Sequence, residues 1–169
     1  MDLAKAVRDP WVWGQVALLL LIGVAAPVVP RMLNLGALDP LFGLLDPVSL
    51  RFVGLPLLAA GLLVVAWGLR SLGRNLTPGV EPLPGGELVC KGAYAWVRHP
   101  IYLGLILILT GYTLLLSNWR LAMIALWASA SFFGGKARAE ERHLAQRFPS
   151  YGAYQQAVPR IMPWGARRP

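Results

Sequence analysis

The chain has 169 residues, enough for one compact domain and too few for two ordinary soluble ones. It is 56% hydrophobic and 14% charged, where a soluble domain carries about a quarter charged residues. The apolar residues gather in long blocks, which argues against a soluble fold and for a bilayer core. The net charge of +8 comes from 16 Lys and Arg against 8 Asp and Glu. These basic residues border the apolar blocks, so the excess points to topology and anionic lipid headgroups, not nucleic acid.

The first block runs from Trp11 to about Val29, interrupted by Gln15 and Pro27. Lys5 and Arg8 precede it in the manner of a signal peptide, but no small-residue cleavage site follows, so a retained membrane anchor is expected. A Pro-, Gly- and Asp-rich loop is expected over Pro30 to Arg51, then a second span over residues 52–69. Pro56 falls in the first turns of that span, where a missing amide costs least.

A polar loop, residues 70–100, carries Pro78, Pro82, Pro84, Gly79, Gly85 and Gly86, which argues against regular helix through its middle. Gly85-Gly86 lacks the strand-and-helix context of a dinucleotide loop. Third and fourth spans are expected at 101–117 and 121–135, a tight hairpin joined by Asn118-Trp119-Arg120. Both are slightly short for a full crossing at about 1.5 Å per residue. Gly104 and Gly111, seven apart, permit close helix packing. The tail, 136–169, starts as a charged helix that Phe148-Pro149 should end.

The expected fold class is therefore all-α, a polytopic membrane bundle of about four transmembrane helices forming one domain. In this arrangement Lys5, Arg8, Arg70, Arg74, Lys91, Arg98, Lys136, Arg138, Arg142, Arg147, Arg160, Arg167 and Arg168 share one face. Only Arg31, Arg51 and Arg120 lie on the other. The positive-inside rule then places both termini and the middle loop in the cytoplasm, with a bacterial inner membrane as the expected location.

The one cysteine, Cys90, excludes an intrachain disulfide, and with only His99 and His143 as imidazoles no metal site is expected. The chemistry lies where the hairpin begins and ends. Tyr94, Arg98, His99 and Tyr102 precede or open its first helix, and Glu140, Glu141 and His143 follow its second. Both ends meet at one membrane–water boundary, where ionisable groups are costly unless paired or used. Pro100 suits the first helical position, which sets His99 near a helix N-terminus that favours anionic groups. The plainer reading of Arg98-His99-Pro100 is an interfacial cap with a snorkelling arginine. Adjacent carboxylates point about 100° apart on a helix, so one of Glu140 and Glu141 can face inward while the other is solvated. Tyr94, Trp96, Tyr102, Tyr151 and Tyr154 are interfacial anchors or an adenine-stacking platform, with Tyr151 and Tyr154 folding back under the hairpin.

Two segments carry a family resemblance. The first is Leu88 to Gly104, including Lys91-Gly92-Ala93-Tyr94 and Val97-Arg98-His99-Pro100-Ile101-Tyr102-Leu103-Gly104. The second is Glu140-Glu141-Arg142-His143-Leu144, followed by Phe148, Tyr151, Tyr154 and Val158-Pro159-Arg160. In this order, separated by one hairpin, they resemble the isoprenylcysteine carboxyl methyltransferase family and its phospholipid methyltransferase relatives. Ala93 and Pro149 depart from the family's usual Pro and Gly, and neither carries a functional group.

The resemblance implies methyl transfer from S-adenosylmethionine to a lipophilic, membrane-associated acceptor that enters laterally from the bilayer. It implies cofactor contacts from Lys91, Gly92, Tyr94, Val97, Arg98, His99, Pro100, Tyr102, Leu103, Glu140 and Glu141, with His99 and Glu141 as catalytic candidates. An NADPH-dependent sterol-type reductase and a non-catalytic membrane subunit are the alternatives. The acceptor stays open between a lipid amine, a prenylated carboxylate, an isoprenoid and a small thiol.

Overall fold

The computed structural model describes residues 8–25, 28, 47–77, 79–81 and 85–163. All regular structure among them is helical. Helix α1, Pro10–Leu20, opens on Asp9, whose Oδ1 accepts from the Trp11 amide at 2.8 Å while Oδ2 accepts from the Val80 amide at 2.9 Å. One carboxylate thus caps the helix and ties it to the polar loop. The α-helix is shorter than the expected 11–29. It passes at Leu21 into a π turn, Leu21–Ala25, and most of residues 26–46 lie outside the described residues, including most of the expected loop.

Helix α2, Pro47–Leu72, begins before the expected 52 and absorbs the end of that loop, because no Gly or Pro separates Pro47 from Phe52 and proline suits a helix's first turn. Pro56 consequently lies in the helix interior instead of the opening turns, so the Phe52 carbonyl has no amide four residues on. The helix runs through a 3₁₀ turn, Gly73–Asn75. With that extension it is the one helix among the described residues long and apolar enough to cross a membrane, over Val48–Asn75.

Helix α3, Pro100–Leu115, has Pro100 in its first turn, as the sequence requires. It stops two residues before the expected 117, since Ser117 adopts φ 58° and Asn118 caps the next helix by accepting from the Leu121 amide at 3.0 Å. Helix α4, Trp119–Arg147, is one continuous rod of 29 residues through the end of the expected span and the charged start of the tail. The change of composition near residue 135 ends the apolar surface, not the helix, because Ala, Arg, Lys and Glu all favour helix. Phe148 closes it, its amide donating to the Leu144 carbonyl at 2.9 Å, and a short helix α5, Tyr151–Ala157, turns back.

The bundle is built around the α2–α3 contact. A Cβ on Gly61 would lie 2.7 Å from the Gly104 carbonyl oxygen, and one on Gly111 2.6 Å from the Leu58 amide nitrogen. Gly54, Gly61 and Gly68 recur every seven residues along α2, and Gly104 and Gly111 answer on α3. The backbones therefore approach where no side chain fits. Ile22, Ile106, Leu109, Ala125 and Phe133 form the buried core between α1, α3 and α4. Outside it, Phe52, Leu63 and Trp127 are 77%, 71% and 74% exposed, the apolar outer surface that a bilayer solvates.

Candidate active site

The loop between α2 and α3 is seated first. Gly92 takes φ +62°, and a Cβ there would collide with the Ser71 hydroxyl. Ser71 Oγ accepts from the Ala93 amide at 3.1 Å and donates to the Trp67 carbonyl at 2.8 Å, pinning the 3₁₀ turn Gly92–Ala95 to the end of α2. Ala93 and Val97 are wholly buried pegs.

The tail then clasps this loop. The Arg98 amide donates to the Pro159 carbonyl at 2.8 Å, the His99 amide to the Arg160 carbonyl at 2.9 Å, and the Tyr154 hydroxyl to the Tyr94 carbonyl at 2.7 Å. Pro100 holds His99 out of the helical region, at φ −128° and ψ 65°. Its ring reaches both glutamates of α4, with Nε2 3.2 Å from Glu141 Oε1 and Nδ1 3.5 Å from Glu140 Oε2.

The two carboxylates divide differently from a buried and a solvated pair. Glu141 is buried and takes Arg160 through Nε and Nη2, with Nη2 2.7 Å from Oε2, and Arg98 Nη2 at 3.3 Å. Glu140 accepts from the Tyr102 hydroxyl at 2.9 Å and faces a cavity. The extra buried surface comes from the tail, which covers the side of α4 that would otherwise meet water.

The pKa directions follow from these partners. Burial raises the Glu141 carboxyl, but hydrogen bonds from His99 and Arg160 and the nearby charge of Arg98 override it and lower it to about 2. Burial would depress His99, and the hydrogen bonds and charges of Glu140 and Glu141 carry it above 6.5. Burial, with Glu140 nearby, pushes the Tyr94 phenol up. Glu141 thus stabilises the fold fully above pH 4.5 and loses that contribution as pH falls towards about 2. His99 contributes fully below pH 6.5 and loses it as pH rises through its raised value. The melting temperature in detergent should therefore peak between pH 4.5 and 6.5, and His99→Gln should flatten the alkaline limb. A limb unchanged in that variant would assign it to another group.

The cavity, about 440 Å³, is of cofactor size. Tyr94, Arg98, His99, Tyr102 and Glu140 line it, as do Tyr151, Tyr154, Asn75 and Glu87. Lys91, Gly92, Val97, Pro100, Leu103 and Glu141 are not among the residues that line it; Glu141 belongs to the ion cluster with Arg98. His143 and Trp96 also lie off the cavity, and Trp96 packs against Trp67 with ring centroids 6.2 Å apart. Two wall residues escape local sequence reading. Gln15 of α1 accepts from Lys136 Nζ of α4 at 2.6 Å, and both face the cavity. The available signal was an amide alone in an apolar block.

Three buried polar atoms of cavity-lining residues, Arg98 Nε and Nη1 and the Tyr151 hydroxyl, find no well-formed hydrogen bond among the described residues, although the Tyr151 phenol lies beside the Arg98 guanidinium. Arg98 is 8% exposed and Tyr151 1%. Such groups are costly unless a ligand completes them.

The model of the isoprenylcysteine carboxyl methyltransferase family matches residues 53–146, more than half of the chain. The chain is similar to the protein-S-isoprenylcysteine O-methyltransferase of Dictyostelium discoideum, 32% identical over 121 residues, 69% of this chain and 51% of that protein. It is also similar to those of Schizosaccharomyces pombe, 38% identical over 80 residues (45% of this chain, 33% of the relative), and Saccharomyces cerevisiae, 38% over 72 (42% and 30%). The chain thus spans about half the length of the first relative and about a third of each of the other two.

Proposed function

Because the chain belongs to the isoprenylcysteine carboxyl methyltransferase family, we propose that it methylates the carboxylate of a prenylated, membrane-associated acceptor with S-adenosylmethionine. Three spans formed by α1, α2 and α3 and a fourth by the first half of α4 would set the cavity at the cytoplasmic face of the membrane, in keeping with the basic residues gathered there.

The observation that supports the reading is the buried pair Arg98 and Tyr151, with Arg98 Nε and Nη1 and the Tyr151 hydroxyl left without a well-formed hydrogen bond among the described residues. Two nitrogens of a guanidinium and a phenol suit the amino-acid carboxylate of the cofactor. Glu140 suits its amino group or ribose hydroxyls, and Tyr94 and Tyr154 offer aromatic walls. When bound, the cofactor supplies a sulfonium methyl that a carboxylate oxygen takes up as an ester with no proton exchanged, the electrons of the broken C–S bond staying on sulfur.

The protein's own part is alignment and exclusion of water. His99 is clamped between two carboxylates through both ring nitrogens, an arrangement that keeps it protonated. A protonated imidazole makes a poor general base, and a carboxylate acceptor needs none. His99 therefore serves as a positioning residue, and Glu141 holds it and Arg98 in place.

Calorimetry with S-adenosylhomocysteine tests the reading. Tyr151→Phe removes a buried hydroxyl that lies beside the Arg98 guanidinium, so it should change the melting temperature little and weaken binding several-fold. Arg98→Met should weaken binding about 30-fold or more, a loss of about 2 kcal/mol for one member of a buried charged pair. Stabilisation by NADPH and not by S-adenosylhomocysteine would indicate the reductase, and binding of neither a non-catalytic subunit.

A further inference from the structure

A second concavity lies at the other end of α2 from the candidate active site. Leu69 and Leu72 border the active-site cavity. Leu50 and Val53 instead line a separate groove of about 290 Å³, together with Leu114 of α3 and Trp119, Ala122 and Met123 of α4. Val53 and Leu69 are sixteen residues apart on one helix, about 24 Å at about 1.5 Å per residue. The hydrocarbon core of a bilayer is about 30 Å thick. With α2 crossing the membrane, the cavity and the groove lie toward opposite leaflets.

The groove offers apolar surface alone. Thr110, also on its wall, spends its hydroxyl on the Ile106 carbonyl at 2.8 Å. Leu50 and Ala122 are buried and make the floor, while Val53 and Met123 are 53% and 57% exposed and make the lips. Trp127 stands one turn beyond Met123 on the same face of α4 and is exposed in its turn. The groove thus runs on into the outer surface that lipid tails solvate, tails as apolar as leucine.

A cation marks its outer end. Arg51 follows Leu50 in the first turns of α2, and its Nε donates to Ser117 Oγ at 3.1 Å, in the turn that joins α3 to α4. A neutral hydroxyl holds the guanidinium at that end. The helices that wall the groove bring no acidic side chain to it: α2 and α3 contain none, and the first in α4 is Glu140, toward the other end. A guanidinium fork matches a phosphodiester. A zwitterionic headgroup would set its own cation beside Arg51, and an anionic headgroup would not.

From this geometry we propose that the groove holds one acyl chain of an anionic phospholipid, in the leaflet opposite the active-site cavity, with the lipid phosphate on Arg51. Lipid seated there braces the end of the bundle where α3 turns into α4.

The test counts lipids on the full chain in mild detergent by native mass spectrometry, with dioleoyl phosphatidylglycerol and dioleoyl phosphatidylcholine as probes. Val53→Trp fills the groove from its exposed lip and should lower the number of lipids retained by one. If that variant does not fold, Met123→Trp on the other lip takes its place. In the wild-type protein, the site so removed should prefer phosphatidylglycerol about fivefold, the worth of one cation near a headgroup. Arg51→Gln should keep the site and abolish the preference. A lipid count unchanged by filling the groove overturns the groove as a site. No headgroup preference in the wild-type protein, or a preference that survives Arg51→Gln, overturns the placing of the phosphate. Loss of a dimer instead of a lipid in Val53→Trp makes the occupant a second copy of this chain and overturns the lipid.

Discussion

Glu141→Gln is expected to abolish measurable S-adenosylhomocysteine binding and to lower the melting temperature in detergent by roughly 6 to 20 °C. The size follows from what the carboxylate does. It is the shared counter-ion of Arg98, His99 and Arg160, and the first two are buried with it. Removing the charge leaves cations in a poorly solvated site, and breaking such a buried set costs about 3–5 kcal/mol. It also loosens the hold on Arg98, whose remaining donors face the cavity. Glu140→Gln should differ in kind. Glu140 is a quarter exposed and borders the cavity, so binding should weaken while the melting temperature falls little. Thermal unfolding and calorimetry on the two variants side by side check the contrast, and equal melting temperatures would reject it.

The second large effect lies far from the charges. Gly61→Val should prevent recovery of monodisperse folded protein, because its Cβ would meet the Gly104 carbonyl oxygen at 2.7 Å and the Ile108 amide nitrogen at 2.8 Å. Backbone atoms cannot rotate away as a side chain can, so α2 and α3 must separate, at a cost at or above the upper end of the usual 1–3 kcal/mol for overpacking. Gly134→Ala is the matched control. Nothing lies within 4 Å of its added Cβ, and in mid-helix the change should stabilise by about 0.5–1 kcal/mol. Size-exclusion profiles and melting curves for both variants provide the measurement.

Much of the site was legible in the sequence because its two halves are local patterns. Arg98-His99-Pro100 announces a capped helix start, Glu140-Glu141 lies just beyond the next apolar block, and a hairpin must bring its ends together. Gly104 and Gly111 marked a packing face for the same reason. What stayed hidden depends on contacts between distant segments. Gln15 and Lys136 are 121 residues apart, and neither periodicity nor propensity links them. The division of labour between Glu140 and Glu141 is set by the tail through Arg160. The early start of α2 was missed because Pro47 reads equally as a loop residue and as a first helical residue.

The glycine seam gives the bundle an uneven stiffness. Along α2 and α3 the backbones are nearly in contact and leave no slack for relative movement. Helix α1 meets α4 instead through side chains, with Trp11 and Phe132 rings 5.6 Å apart and the amide of Gln15 on Lys136, and it ends in a π turn. Rings and amides can swing where backbones cannot. The wall of the cavity with room to yield is therefore α1, and the α2–α3 pair is the fixed jamb beside it.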